Sequence, residues 1–255
     1  FAKDYSPYGN NISAYVADPV WNRTGGYDGF GAFEFDGTTN EFILIDNVTN
    51  LNFDMDTGEQ FSIELRAKHF DTSTEQYFLN KGINAADKSN YRVYLGNNDK
   101  VIYRIQNGTE SSAMAGTNAF ELGTWYHVVL TVNQTAMVGY VNGEIDVNTS
   151  HTLTGRIGTS GHMFIGNINA VDSPLNGSLD ELRIWNRSLS HQQVRALYQN
   201  NTDLIVSQET LLNETWNATM TPNDGYIDGE TLWSNDIIVL AANNVPTVSA
   251  NVTSS

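Results

Sequence analysis

The chain has 255 residues, enough for one large β domain of about 200 residues plus a smaller piece. Its 29 acidic and 13 basic residues give a net charge of −16, which argues against a nucleic-acid or anionic-membrane surface and makes cations the more natural partners. No cysteine is present, so a disulfide framework and a thiolate metal site are both excluded.

No run approaches the roughly 18 apolar residues of a membrane span, so direct membrane insertion is not expected. The chain opens at Phe1 without a signal-like segment and reads as a mature product or an excised portion of something longer. Strand signals run from residue 31 to 185. Phe33 and Phe35 share a face, the segment breaks at Asp36-Gly37, and a β-branched run carries it to Ile45. In 61–70, Phe61, Ile63, Leu65 and Ala67 alternate with Ser62, Glu64 and Arg66, the pattern of an antiparallel strand with one wet face. Residues 90–108 read as two strands joined through Gly96 to Asp99, with Tyr91, Tyr94 and Tyr103 spread along them. The segments 124–133 and 137–147 follow, the second folding at Asn142-Gly143, a strong short hairpin signal. After 162–167, Leu182 and Ile184 alternate with Glu181, Arg183 and Trp185 in the strand 177–185.

A helix start follows at Ser190. Ser190 caps it, Gln193 completes a capping box, and Leu189 with Val194 has the spacing of a hydrophobic staple. The helix is expected to be about two turns long, ending near Asn200. About ten to twelve short strands and one helix predict an all-β, two-sheet antiparallel sandwich.

The segments DYSPYGNN near the start, FEFDG at 33–37, FSIELRAK, TWYHVVLTVN, YVNGEI, MFIGN and GSLDELRIWNRSLS resemble, in order and spacing, the signature segments of laminin G-like domains of the concanavalin A-like superfamily. The resemblance covers about residues 4 to 200. It implies a concanavalin A-like jelly-roll sandwich over residues 1–202 that binds glycans or proteins, often with a structural calcium ion.

The remainder differs in character. Residues 214–240 read as a strand, a Pro-Asn-Asp-Gly turn, a second turn at Asp228-Gly229 and a closing strand. They resemble the last two strands of immunoglobulin-like repeats in large archaeal and bacterial surface proteins. Two strands make no sandwich and an isolated hairpin is marginal in water. Residues 203–244 are therefore expected to be Ig-like strands completed by strand addition from other copies of the chain or from flanking Ig-like modules. Residues 245–255 read as a linker or the first strand of a further module. The rival arrangement is a hairpin packed on the jelly roll itself.

The resemblance places metal ligands at Asp36 and Asp180, which lie near each other in the family, and Asn40 adds a side-chain oxygen. Hard oxygen ligands at loop–strand junctions suit Ca²⁺. The same residues also suit a bland reading, an Asx-turn at Asp36 and a strand start at Asp180. Glu144 and Asp146 match the first two acids of the Glu-x-Asp-x-x-Glu pattern of the related jelly-roll glycosidases, but Thr149 stands at the third, so no catalytic residue is assigned and no enzyme is expected. The five histidines (His69, His127, His151, His162, His191) show no metal-ligand spacing. Phe33, Phe35, Trp125 and Trp185 read as core. Tyr91, Arg92, Tyr94, Tyr103 and Arg104 are a weaker candidate glycan surface on one sheet.

Asn-x-Ser/Thr occurs twelve times, at Asn11, Asn22, Asn47, Asn107, Asn133, Asn148, Asn176, Asn186, Asn200, Asn213, Asn217 and Asn251, where composition alone gives about five. This predicts an N-glycosylated protein, and with no cysteine it suits an archaeal or viral surface protein. The expected function is a non-catalytic, calcium-stabilised structural or adhesive module of the cell surface or extracellular space, one repeat of a larger or polymeric assembly. The alternatives are a carbohydrate-binding lectin module and, further off, a glycoside hydrolase.

Overall fold

The structure is a computed structural model that describes residues 4, 6–17, 19–46, 48–72, 74–82, 89–158, 161–168, 173–201, 205–206, 209–222 and 227–240. The chain divides into two compact units, 1–202 and 203–255.

The first unit is the expected sandwich. One seven-stranded sheet runs β1 (Ala14–Val16), β4 (Phe42–Ile45), β15 (Met163–Ile165), β7 (Gln76–Lys81), β8 (Ser89–Leu95), β9 (Lys100–Asn107) and β10 (Ser111–Ala119). The other runs β13 (Glu144–Ser150), β12 (Ala136–Val141), β11 (Tyr126–Val132), β6 (Phe61–His69), β16 (Asn176–Trp185), β3 (Ala32–Asp36) and β2 (Val20–Asn22). All these pairings are antiparallel. A short ladder of β5 (Phe53–Asp54) with β14 (Arg156–Ile157) lies beside them.

Alternation decides the core. Phe61, Ile63, Leu65 and Ala67 of β6 meet Tyr91, Val93 and Leu95 of β8 and Val101, Tyr103 and Ile105 of β9 in one buried cluster. Asn142 and Gly143 both take positive φ, 50° and 82°, as the two-residue turn between β12 and β13 requires. At the far side of the sandwich Asp146 of β13 reaches β10, where its Oδ1 accepts the Thr117 amide at 3.1 Å and the Thr117 hydroxyl at 2.5 Å. That clasp joins the two sheets at one edge.

The outer face of the second sheet is polar yet covered. Glu64, with a side chain 2% exposed, accepts from Arg183 at 3.1 Å and Trp185 Nε1 at 3.2 Å, and His127 Nε2 lies 3.3 Å away. Arg66 donates to the carbonyls of Leu197 and Tyr198, and its guanidinium sits 3.7 Å over the Tyr27 ring. The two carbonyl contacts fasten α1 (His191–Tyr198), whose capping box is complete: Ser190 Oγ accepts the Gln193 amide and Gln193 Oε1 accepts the Ser190 amide. Leu189 and Val194 are buried together with Val129 and Tyr140, the staple realised. Ser190→Ala is expected to lower stability by about 1 kcal/mol, read as a melting-temperature drop of about 2–4 °C.

β7 and β10 carry weak sequence signals. β10 is SSAMAGTNA, an edge strand paired only with β9 and buried chiefly at Met114 and Gly116. It succeeds because an edge strand needs one partner and little apolar payload.

In the second unit β17 (Thr215–Trp216) pairs with β20 (Ile237–Ile238), and β18 (Thr219–Met220) with β19 (Leu232–Trp233). Met220, Leu232, Trp233, Ile237 and Ile238 are all exposed. Part of the expected Pro-Asn-Asp-Gly turn and all of 245–255 lie outside the described residues.

Candidate functional site

At the edge opposite the Asp146 clasp, where β1 and β2 end the two sheets, the sandwich stays open as a cleft of ≈ 820 Å³. Its floor is core-facing and apolar, including Ile43, Phe53, Met163, Ile165, Leu179, Leu182 and Ile184. Its rim carries Asp4, Ser6, Tyr8, Asn10, Asn50, Asn186, Trp21 and Trp185.

Local chemistry builds that rim. Trp21 is the register partner of Phe33 and its ring lies 5.0 Å from the phenylalanine ring. It also covers Gly31, where φ is +133° and an added Cβ would stand 2.3 Å from the indole. A glycine there lets the indole lie flat while half its surface stays open. The N-terminal strap is knotted by Asp4, which accepts from the Ser6 amide and hydroxyl and from the Asn10 amide at 2.7–2.8 Å. Burial works against its charge, but those hydrogen bonds outweigh it and hold the carboxyl below the usual range. The Tyr8 hydroxyl accepts from Asn186 at 3.3 Å and tethers the strap to the end of β16.

β16 enters the cleft through a bulge. Its register with β6 shifts between Asp180 and Arg183, and Glu181 takes φ of 53°. The extra residue turns Asp180 toward the Gly26–Tyr27 loop, and Leu182 and Ile184 pack against the core. Asp180 accepts the amides of Tyr27 at 3.0 Å and Glu181 at 2.8 Å. Burial raises its carboxyl above the usual value.

The expected calcium ligands are not brought together. Asp36 stands opposite Asn176 on β16, whereas Asp180 lies four residues further along that strand, about 13 Å away at strand rise. Asp36 is exposed and accepts the Thr38 amide at 2.8 Å, which holds it below the usual range, and Asn40 is exposed beside it. This is the Asx-turn geometry. The three residues do not fit one calcium ion, and among the described residues no group of three or more His, Asp or Glu side chains could hold a metal.

Glu41, next in the chain, is buried and accepts the Asp36 amide at 2.6 Å. Burial pushes its carboxyl from 4.5 up to about 7. The folded state then keeps a proton that the unfolded chain releases, so stability falls as pH rises from about 4.5 to 7. Glu41→Gln is expected to flatten that part of the stability profile in melts from pH 4 to pH 8; an unchanged slope would remove Glu41 as its cause.

The aromatic–arginine surface splits in two. Tyr91 and Tyr103 are fully buried between the sheets, so neither reaches a glycan. Arg92, Tyr94 and Arg104 alternate with them and point to the other face. Tyr94 stacks on Tyr77, rings parallel at 4.4 Å, and both are covered. Burial raises both phenols.

Glu144 and Asp146 do not form a carboxylate pair. Glu144 lies by His191 and Arg195 of α1, at 3.4 and 3.7 Å, while Asp146 holds β10. Trp125 is half-buried under Lys68 rather than in the core.

Of the sequon asparagines, Asn11, Asn148, Asn186, Asn200, Asn213 and Asn217 are exposed, and Asn22, Asn107, Asn133 and Asn176 are half-buried. Asn47 and Asn251 lie outside the described residues. At Asn22, Asn107 and Asn133 the side-chain oxygen accepts from the amide and hydroxyl of the sequon threonine and from the next amide. Three sequons thus double as Asx-turns.

Residues 36–195 match Laminin_G_3, described as concanavalin A-like lectin/glucanases superfamily. The match spans more than half of the chain, and the chain belongs to that family. No curated protein matches it in sequence. Among solved structures it is similar to the binding domain of botulinum neurotoxin serotype G, at TM-score 0.63 and 16% identity over 89% of this chain and 61% of that one. The binding domain of Paraclostridial Mosquitocidal Protein 1 gives 0.62 and 16% over 91% and 60%. Domain 4 of AbnA, an extracellular arabinanase from Geobacillus stearothermophilus solved with arabinotriose, gives 0.55 and 20% over 75% and 86%. The chain spans about three-fifths of the length of these two binding-domain structures. At these identities the likeness is one of fold.

Proposed function

We propose that the first unit is a non-catalytic, lectin-like module that takes a glycan in the cleft at the β1–β2 edge. The observation that carries this reading is the cleft itself: ≈ 820 Å³, apolar in its floor, with Tyr8 and Trp21 half open at a rim of amide, hydroxyl and carboxylate groups. Such a rim stacks the apolar face of a sugar ring and hydrogen-bonds its hydroxyls. The separate engagements of Glu144 and Asp146 favour binding over hydrolysis. The arabinanase domain with arabinotriose offers a sugar-bound protein of the same fold.

The test is a glycan array read with the labelled protein. Retention of defined oligosaccharides that falls about tenfold or more in Trp21→Ala supports the reading. A folded protein that retains no glycan overturns it.

A second reading, a structural or adhesive role in an array, is favoured by the exposed apolar side chains of the 203–255 unit. Its short ladders would be completed by strands from other copies or flanking Ig-like modules. A setting outside the cell, with N-glycans on the exposed sequons Asn11, Asn148 and Asn200, belongs to both readings. Peptide mass mapping of native protein is expected to find glycan there and none at Asn176, which packs on Gly37; bare peptides at all of these sites would sink the glycosylation proposal.

A further inference from the structure

One sequon of the first unit differs from the other exposed ones. Asn11, Asn148 and Asn200 do not line the cleft, whereas Asn186 does. It directly follows Trp185, the last residue of β16, and Ser188 completes its Asn-Arg-Ser signal.

N-glycosylation modifies the asparagine side-chain nitrogen, and in Asn186 that atom already has a structural task. It donates to the Tyr8 hydroxyl at 3.3 Å and so ties the N-terminal strap to the end of β16. Tyr8 lines the cleft and also a second, polar hollow of ≈ 480 Å³, as do Asn10 and Asn50. The Asn186 nitrogen therefore stands where the two hollows meet. The bond it makes is long for an N–H···O contact. Tyr8 is 56% exposed, and its hydroxyl makes no other hydrogen bond among the described residues. Little holds the ring in place against a bulky group on that nitrogen.

We propose that Asn186 is a modification site that gates the cleft. A glycan on its Nδ2 takes one of the two amide hydrogens, displaces the Tyr8 tether and occupies the mouth, so that only the unmodified chain takes a glycan from outside. Tethering supplies the driving force. A sugar attached at the rim faces the cleft at an effective concentration in about the millimolar range, and it excludes free sugar present below that level. The gate rests on the reading of the cleft as a glycan site. Asn148 provides the contrast, since it lies on β13, the edge strand at the other side of the second sheet.

The test compares the parent with Ser188→Ala, which removes the sequon and keeps the Asn186 side chain. Both are produced in one N-glycosylating host and again in a host without N-glycosylation, mapped by peptide mass and read on the same glycan array. From the glycosylating host, the parent is expected to carry glycan at Asn186 and to retain array glycans about tenfold or more weakly than Ser188→Ala. Chymotryptic cleavage after Tyr8 is expected to be about threefold or more faster in that modified parent. Ser150→Ala, which removes the Asn148 sequon, is expected to change retention by less than about twofold. From the other host, parent and Ser188→Ala are expected to bind alike. Asn186 left bare beside modified Asn11 and Asn148 overturns the modification site. Equal retention by the modified parent and Ser188→Ala overturns the gate and leaves the cleft reading in place, and an unchanged cleavage rate after Tyr8 overturns displacement of the tether. Failure of both unmodified proteins to retain any glycan is a separate result, which overturns the cleft reading and takes the gate with it.

Discussion

Glu64→Ala is expected to lower the melting temperature of the sandwich by roughly 10 °C. The carboxylate is buried on the outer face of β6 and receives Arg183, Trp185 and the neighbouring His127. Removing it strands a cation and an indole N–H under α1. Loss of one partner of a buried pair costs about 3–5 kcal/mol, and each kcal/mol moves a domain of this size by about 2–4 °C. Arg183 is partly exposed, which places the expectation at the lower end of that range. Glu64→Gln keeps the acceptor and loses the charge, so it should fall between. An Ala variant melting within about 1 °C of the parent would show that the cluster contributes nothing net.

A comparable loss is expected from Gly177→Ala, for a steric reason. Gly177 of β16 lies between His69 on β6 and Phe35 on β3. A Cβ there would stand 2.0 Å from the Lys68 carbonyl oxygen and 3.0 Å from the His69 Cα. Those are backbone atoms of a central strand, so the sheet must part rather than a side chain turn. The expected cost is about 3 kcal/mol or more, read as a lowered thermal midpoint with near-UV dichroism altered at 20 °C or so. A variant as stable as the parent would mean that β16 and β6 are not packed at the distance described.

The pattern of these two sites explains what was legible in the sequence. The Ser190 box and the Asn142-Gly143 turn are local signals with local causes and stand in the structure as the residues imply; β6 alternates as its sequence implies, but the polar face expected to be wet is covered, with Ser62, Glu64 and Arg66 all buried. Alternation also separates Tyr91 from Arg92, since neighbours in a strand face opposite ways. Tyr91 and Arg92 therefore lie on opposite faces of β8 and form no single surface. The distance between Asp36 and Asp180 depends on register, which pairs Asp36 with Asn176, and one sequence does not display register. The cleft was hidden for a similar reason. Its lining comes from the N-terminal strap, β2, β3, β4, the 50–53 segment, β15 and β16, and only the tertiary arrangement brings those segments to one edge.

The proposed function requires this edge of the sandwich to hold a glycan without cleaving it. The most direct measurement is a ¹H–¹⁵N NMR titration of the chain with arabinotriose, maltotriose and cellotriose, followed on the Trp21 indole and the amides of Asn10, Asn50 and Asn186. Saturable shifts confined to that rim with at least one trisaccharide, which is recovered intact, are the expected result. Shifts confined to other surfaces, none with any sugar, or trisaccharide broken down during the titration would contradict the account.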